Sequence, residues 1–476
     1  MLRCEMHAHV LLCAPQPRCC AARHADGRVL RPDGAIAPVF FLFCLEVGLS
    51  ELDTGALLTC ILLGDLAVTL ALSTRADACG RRRTLVAGAA LKALAGGVFA
   101  VSSSFAVLVA AGIVGVLSTS GGECGPFIAV EQAALTEAVL ACRAGQASGA
   151  AEVAVLFGWY NALGYWAQAA GAVASGVAVR LLQRDPGPSL SPLEAYRCVF
   201  MAYAATGTTM GLAYACLSAA AEAKPGAAGA RGASWTGLRR PGSLRIVARL
   251  SVFFAMDAFG GAFTMQTFVA FWFSERWGFA SDRIGALLGT ANVVAGASGV
   301  AASYFVRKLG AMETMIVTHL PSNVLLLAVP FMPTSAAAAG MLVARFCISQ
   351  MDVPARQAYV AMVVASDERS AAGGITNIVR SLGMSAAPLL LGYLSSAQPR
   401  TGLLFSSPWL ISGGVKIAYD IGLYALYRFS RMRSDEVGAE PPAAGDTLHE
   451  PLLQAEAGGA DADSEQREAR SGSVVS

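Results

Sequence analysis

The sequence predicts an all-α membrane protein with about twelve transmembrane helices in two six-helix bundles. Hydrophobic residues make up 55% of the chain and charged residues only 14%. A soluble domain carries about 25% charged residues, because its surface faces water. Apolar runs of about 20 residues, the length that a helix needs to cross a bilayer, recur along the whole chain. We therefore expect most of the surface to face lipid.

Twelve apolar runs predict the transmembrane spans, six on each side of a polar stretch. In the first half they cover residues 34–49, 55–72, 85–101, 105–127, 153–179 and 196–219. In the second half they cover residues 246–273, 284–305, 315–332, 336–364, 371–395 and 409–427. The first run is short, and Arg31, Pro32 and Asp33 block its extension towards the N-terminus.

These runs divide the chain into five segments. A leader (1–33) precedes the N-terminal bundle (34–220), and a cytosolic linker (221–245) separates it from the C-terminal bundle (246–428). The tail (429–476) is rich in Glu, Asp, Gly, Ala and Ser. We expect the tail to be disordered, because such a composition buries too little apolar surface to fold. We expect the leader to be a disordered segment, and a poor targeting sequence and an artefactual start remain open as alternatives.

Basic residues in the loops predict the orientation. One set of loops holds sixteen Lys and Arg residues, whereas the opposite set holds six. Loops rich in Lys and Arg stay in the cytosol. The chain is thus expected to be a multi-pass integral membrane protein with both termini in the cytosol. The plasma membrane and the vacuolar membrane both remain open as its destination.

The sequence predicts no cofactor, no metal site and no nucleic-acid partner. The leader crowds together seven Cys and His residues, but their spacing matches no zinc pattern. No Gly-x-x-x-x-Gly-Lys-Ser loop occurs, which argues against a built-in ATPase. The net charge of +2 is too weak for nucleic-acid binding. An intramembrane enzyme lacks support, because no Ser/His pair or metal spacing lies within the spans.

The loop after the second span carries the most informative motif. It reads Ser-Thr-Arg-Ala-Asp-Ala-Cys-Gly-Arg-Arg-Arg from Ser73, with Asp77, Gly80, Arg81 and Arg82. It resembles the signature loop of the major facilitator superfamily, Gly-x-x-x-Asp-Arg-x-Gly-Arg-Arg. Ser73 and Ala78 depart from that pattern, where Gly and Arg are usual. Gly80 permits a tight turn. A resembling loop with Gly310 follows the eighth span, without the acid.

Two longer stretches resemble a subgroup of this superfamily that is widespread in microbes. They are the segments at 122–133 and 349–358, each with an acid shortly before Pro, then a charged residue, then Gln-Ala. The run from Thr318 to Asn323 also resembles that subgroup. Because the two stretches also resemble each other, they indicate the internal repeat of two six-helix bundles. The resemblance spans about residues 40–428.

Charged side chains inside the spans are the candidate functional residues, because such charges are costly in lipid and usually face the bundle interior. By resemblance, the first, fourth, seventh and tenth spans line a central cavity, which places Glu123 and Asp257 there. A buried carboxylate can bind and release a proton near neutrality. The candidates for substrate binding or proton coupling are Asp65, Glu123, Asp257, Asp352 and Arg380.

Two pairs of these charges are spaced i,i+4. Asp352 with Arg356, and Lys416 with Asp420, each share one helix face and can neutralise each other. A structural ion pair and a transport role both remain open for these four residues. The same alternative, structural burial or proton coupling, remains open for Asp257.

The internal repeat also predicts a conformational gate. Glu131 and Arg356 stand just before Gln-Ala at matching places in the two halves, so opposite charges are expected to meet when the inside is shut. The alternative is that Asp352 already neutralises Arg356. Together with Asp77, Gly80, Arg81 and Arg82 of the signature loop, these residues form the predicted gate.

The sequence therefore favours a secondary active transporter of a small solute that works by alternating access and is coupled to protons. It is expected to work as a monomer, with the lipid bilayer, a small-molecule substrate and protons as its partners. The alternative is a transport-inactive membrane sensor or scaffold with the same fold. The substrate and the direction of transport do not follow from the residues.

Overall fold

The computed structural model describes residues 33–119, 150–184, 190–216, 241–362 and 369–436. In these ranges the regular structure is all helical, as the sequence predicts. Seven helices there are long and apolar enough to cross a membrane. They coincide with the second, third and seventh to eleventh predicted spans. Residues 1–32 of the leader, most of the linker and the end of the tail lie outside the described residues.

The N-terminal half contains six described helices. They are α1 (Phe40–Glu46), α2 (Glu51–Cys79), α3 (Arg81–Val101), α4 (Phe105–Val114), α5 (Ala150–Leu182) and α6 (Pro192–Ala215). In the predicted first span, α1 covers only seven residues, and a 3-10 turn at Asp33–Ala35 precedes it. With 33 and 24 residues, α5 and α6 exceed the length that a bilayer requires.

The C-terminal half contains nine described helices. They are α7 (Pro241–Ala262), α8 (Gln266–Trp277), α9 (Ser281–Leu309), α10 (Ala311–Ala328), α11 (Ser335–Ser349), α12 (Asp352–Met362), α13 (Arg369–Ser385), α14 (Pro388–Ser395) and α15 (Leu403–Glu436). Three predicted spans are interrupted, between α7 and α8, α11 and α12, and α13 and α14. The last break precedes Pro388, which lacks the N–H that would continue the helical ladder.

Two helices extend beyond the predicted segment boundaries by a few residues. The linker is predicted to reach residue 245, whereas α7 begins at Pro241. Proline suits the first turn of a helix, where its missing N–H is not needed. The C-terminal bundle is predicted to end at residue 428, whereas α15 continues to Glu436. Apolar character fixes where a span leaves the bilayer, but the helix itself continues through residues of good helix propensity.

Two loops of the same geometry support the internal repeat. Gly80 and Gly310 have φ angles of +98° and +92°, and each precedes the first residue of a helix. One turn later, the hydroxyls of Thr84 and Thr314 donate hydrogen bonds back to the carbonyls of these glycines. Only glycine adopts such a φ angle at little cost. The motif loop and its copy thus share a backbone as well as a sequence pattern.

The two halves approach each other closely along paired helices, α2 with α14 and α5 with α9. A Cβ atom added to Gly55 would overlap the carbonyl oxygen of Pro388, and one added to Gly176 would overlap that of Ser281. These glycines therefore allow backbone contact between the halves, as small residues do in other membrane helix pairs.

One end of the bundle, here called the Arg400 end, is closed by contacts between the halves. Arg400 forms ion pairs with Glu51 of the N-terminal half and Glu275 of the C-terminal half. The rings of Phe41 and Phe271 stack across the same boundary with their centroids 4.3 Å apart. Phe405 continues the aromatic layer beside Phe271. The opposite end carries the Gly80 and Gly310 loops and is called the Gly80 end.

Candidate functional site

The centre of the candidate site is Asp257, a buried carboxylate on α7. Lys416 Nζ of α15 donates a hydrogen bond to Asp257 Oδ1 at 2.6 Å. Arg356 Nη1 of α12 donates to Asp257 Oδ2 at 3.2 Å and to Asp352 Oδ2 at 3.4 Å. Asp257 is only 3% exposed, and the other three side chains are also buried. Two cations and two carboxylates from three helices therefore meet inside one half of the protein.

A second cluster adjoins the first through a histidine. His319 Nδ1 of α10 lies 2.8 Å from Asp420 Oδ1, and its Nε2 lies 3.6 Å from Asp257 Oδ1. Asn323 Nδ2 donates to Asp420 Oδ2 at 2.9 Å. His319, Asn323 and Asp420 are buried. The imidazole thus stands between two carboxylates and connects the two clusters into one network, here called the Asp257 network.

Helical spacing explains how these side chains converge. His319 and Asn323 are four residues apart on α10, and Lys416 and Asp420 are four residues apart on α15, so each pair shares a helix face. Helix α15 packs against both α7 and α10. Its face therefore meets two different partners, Asp257 on α7 and His319 on α10.

The network lies in apolar surroundings. The Arg356 guanidinium stands over the ring of Phe254, 5.5 Å from its centroid, and His319 packs edge-on against Tyr419 with ring centroids 5.6 Å apart. Charged groups removed from water are costly unless they are paired and hydrogen-bonded. The pairing among these groups compensates that cost. Removing one partner is expected to destabilise the fold by about 3–5 kcal/mol.

The network can accommodate one proton. Asp257, Asp352 and Asp420 contribute three negative charges, and Arg356 and Lys416 contribute two positive ones. Their formal sum is −1 while His319 is neutral, and it becomes 0 when the imidazole is protonated. Histidine changes its charge near physiological pH more readily than other side chains. Proton binding at this position would therefore change the formal charge of the network by one unit.

Of the predicted site residues, the structure brings together Asp257, Asp352 and Arg356. Arg380 lies on α13, which packs against α7, within electrostatic reach of Asp257. Asp65 lies on α2 in the other half. The predicted Asp352–Arg356 pair is present, but Arg356 also binds Asp257.

The predicted pairing of Lys416 with Asp420 is not observed. Lys416 binds Asp257 instead, and Asp420 binds His319 and Asn323. The i,i+4 rule describes an isolated helix, whereas α15 is surrounded by helices that offer closer partners. Sequence reasoning also missed His319 and Asn323 as site residues. The available signal was a histidine inside an apolar span with an asparagine one turn later.

The predicted gate is covered only in part. Glu131 lies outside the described residues, so the Glu131–Arg356 contact stays a prediction. Glu123, a candidate for substrate binding or proton coupling, also lies outside them. Gly80 has the expected turn geometry, and Arg82 is exposed. Asp77 and Arg81 lie on α2 and α3, but their side chains are not among those described. Helix α2, which carries Asp77, packs against α13.

These features define a class of protein. Two halves of membrane-spanning helices, related by matching loops and closed against each other at one end, with ionisable groups buried inside, are typical of a membrane transporter. The sequence model of the Major Facilitator Superfamily matches residues 33–388. The chain belongs to this superfamily.

Known proteins agree with that assignment. The uncharacterized membrane protein YJR124C of Saccharomyces cerevisiae is 25% identical over 422 residues, which cover 83% of this chain and 90% of the relative. A mutant form of the nucleoside transporter NupG has a TM-score of 0.64 at 13% identity, covering 85% of this chain and 98% of its own. The D-xylose-proton symporter has a TM-score of 0.61 at 12% identity, and the match covers 88% of this chain and 97% of the symporter. These structures share the fold.

Proposed function

We propose that this protein is a secondary active transporter that moves a small solute across its membrane by alternating access, coupled to protons. The observation that carries this proposal is the Asp257 network, in which a histidine stands between two buried carboxylates. Ionisable groups inside membrane helices are costly and are typical of ion and proton pathways. The D-xylose-proton symporter, which shares this fold, is by its name coupled to protons, and this is consistent with the proposal.

The contacts between the halves suit a protein that alternates between two states. At the Arg400 end, the boundary is closed by ion pairs to Glu51 and Glu275 and by the Phe41–Phe271 stack. Partly exposed ion pairs contribute only about 1 kcal/mol or less each. Contacts of this size can be broken and re-formed as the halves rock about a central site. By the distribution of basic loops, the Arg400 end faces away from the cytosol.

Protons enter this cycle through the Asp257 network. When His319 or a carboxylate of the network takes up a proton, the ion pairs that join α7, α10, α12 and α15 change in strength. A change in charge can therefore bias the relative stability of the two conformations, as long as the two states hold the proton with different affinity. That difference is the coupling between the proton and the solute.

The second candidate is a membrane sensor or scaffold that keeps the fold without transport. Ser73 and Ala78, which depart from the signature loop, favour it, because this loop is expected to take part in the conformational change. A sensor would bind a solute and change conformation without net flux.

Uptake into liposomes separates the two candidates. The purified full-length chain is reconstituted, a pH gradient is imposed, and accumulation is measured for a panel of labelled sugars, nucleosides, amino acids and organic acids. A transporter accumulates at least one of them above protein-free liposomes, and a protonophore abolishes the accumulation. If solutes stabilise the protein against heat but none accumulates, the sensor is correct and the proposed transport is wrong.

A further inference from the structure

Arg345, a buried cation on α11, has no direct acidic partner among the described residues. The side chain is only 8% exposed, and its Nε lacks any hydrogen-bond partner there. The guanidinium carbon lies 5.1 Å from the ring centroid of Phe346, a contact between adjacent residues. Asp257 and Asp352 lie within electrostatic reach, but no salt bridge joins either of them to Arg345 in the described ranges. By contrast, the buried cations Arg356 and Lys416 of this half are both paired.

The surroundings of Arg345 reach across the boundary between the halves. Tyr165 of α5 lies within electrostatic reach of the guanidinium, and its hydroxyl donates a 2.5 Å hydrogen bond to Gln350 Oε1, just beyond the end of α11. Asn161 lies one turn before Tyr165, and its side-chain nitrogen is buried without a hydrogen-bond partner in the described part of the chain. Two buried donors, one on Arg345 of the C-terminal half and one on Asn161 of the N-terminal half, are therefore left unsatisfied within the described ranges.

Unsatisfied buried donors are uncommon in folded proteins and call for an explanation. Leaving a buried polar group unpaired has a substantial free-energy cost, which is larger for a charged group. A ligand with acceptor oxygens would satisfy both donors. The planar fork of a guanidinium matches a carboxylate with two parallel hydrogen bonds, which a neutral hydroxyl cannot reproduce.

We propose that Arg345, with Asn161, binds the carboxylate of a small organic anion between the two halves. This inference rests on the proposed function and names the substrate class of that transporter. The net charge of the buried side chains favours a ligand with a single negative charge. With Arg345 included, the buried charges of the Asp257 network sum to 0 while His319 is neutral, and to +1 once it is protonated. A monoanion then restores neutrality, so the proton and the carboxylate are expected to bind together.

Binding can be tested without any transport. The full-length chain is purified in detergent in chloride-free buffer, and its unfolding temperature is measured with lactate, benzoate and succinate. Each acid is compared with its uncharged amide, which has nearly the same shape. At least one acid is expected to stabilise the protein more than its amide does, because ligand binding to the folded state raises its stability.

Three variants assign the binding to the guanidinium. Arg345→Gln is expected to lower the affinity for that acid by about 30-fold or more, because it removes a charge-assisted bidentate contact. Arg345→Lys keeps the charge without the fork and is expected to retain weaker binding, which keeps the test valid if the glutamine variant does not fold. Arg180→Gln on α5 removes an exposed cation and is the matched control, with unchanged binding.

Two results would overturn the assignment. One is that no acid stabilises the protein more than its amide, and the other is that Arg345→Gln binds the acid as tightly as the wild type does. These results are separable from a failure of transport. Accumulation of an uncharged solute without acid binding would leave the transporter standing and remove this site. Acid binding that depends on Arg345, measured without any flux, would support this site and contradict the proposed transport.

Discussion

Lys416 Nζ lies 2.6 Å from Asp257 Oδ1, and this buried ion pair joins α15, the last helix of the C-terminal half, to α7, the first. The same carboxylate binds Arg356 of α12 through its other oxygen. Asp257 therefore connects three helices that are distant in sequence. Any change in its charge acts on all three helices at once, which is what a coupling site requires.

The first prediction concerns this ion pair. Lys416→Met should destabilise the protein, because Asp257 loses its closest cation and remains buried. Breaking a buried pair costs about 3–5 kcal/mol. The double variant Asp257→Asn/Lys416→Met should be more stable than the sum of the two single effects predicts, since it leaves no uncompensated charge. Thermal unfolding of the four proteins in detergent measures this coupling. Additive single effects would show that the two side chains do not interact.

The second prediction concerns His319. His319→Gln keeps a hydrogen-bonding side chain between Asp257 and Asp420 but cannot titrate near neutral pH. The rate of solute uptake should then respond less to the imposed pH gradient than in the wild type, because an imidazole can carry a proton and an amide cannot. Thr318→Val is the matched control, because Thr318 is buried next to His319 and its hydroxyl donates to the α10 backbone. An unchanged response to the pH gradient in His319→Gln would assign proton binding to another group.

The third prediction concerns the closure of the Arg400 end. Arg400→Glu places a third acid beside Glu51 and Glu275, so this end should open more often. Cys44 is fully buried on α1 beside this boundary and can report the opening. In a background with the other cysteines replaced by serine, its labelling by a membrane-impermeant maleimide should speed up severalfold. The swap Glu51→Arg/Arg400→Glu should restore slow labelling in part, since Glu275 loses its partner. Equal labelling rates in the single and double variants would show that the Glu51–Arg400 ion pair does not keep the Arg400 end closed.

The fourth prediction compares two glycines on α5. Gly176→Ala places a Cβ against the backbone of Ser281 and Gly285 in the other half, whereas a Cβ at Gly164 meets no atom within 4 Å. Gly176→Ala should therefore hinder closure of the Arg400 end and slow solute uptake severalfold, and Gly164→Ala should not. Both replacements have the same helix propensity change, so a difference between them reports the contact alone. Equal uptake would mean that α5 and α9 need not approach closely during transport.

The helical class, the family and the repeat could be predicted from the sequence, because membrane spans need long apolar runs and because Gly80 and Gly310 occupy turns that require positive φ. Breaks inside spans could not be placed in the same way. The break at Gln350 and Met351 precedes Pro354, which lacks the N–H that would bond to the carbonyl of Gln350, but α11 and α12 read as one apolar run. The observed helix ends also differ from the predicted span ends, because a helix can continue beyond the bilayer.

The candidate site was only half predictable. Asp257 and Arg356 stood out as charges within apolar spans, a signal that one sequence carries by itself. Their partners depend on how helices distant in sequence pack. The i,i+4 spacing of Lys416 and Asp420 predicted a pair that does not form, because each residue binds a side chain of another helix. His319 was visible as a histidine in a span. Its place between two carboxylates is set by the packing of α7 and α15 around α10, and no spacing within α10 could indicate it.

The most direct test of proton-coupled transport is uptake by Asp257→Asn in proteoliposomes, with Asp282→Asn, an acid at the start of α9, as the control. For a solute that the wild type accumulates along an imposed pH gradient, we expect Asp257→Asn to exchange it across the membrane but not to concentrate it. Asp282→Asn should still concentrate it. If Asp257→Asn concentrates the solute as the wild type does, the Asp257 network does not couple transport to protons.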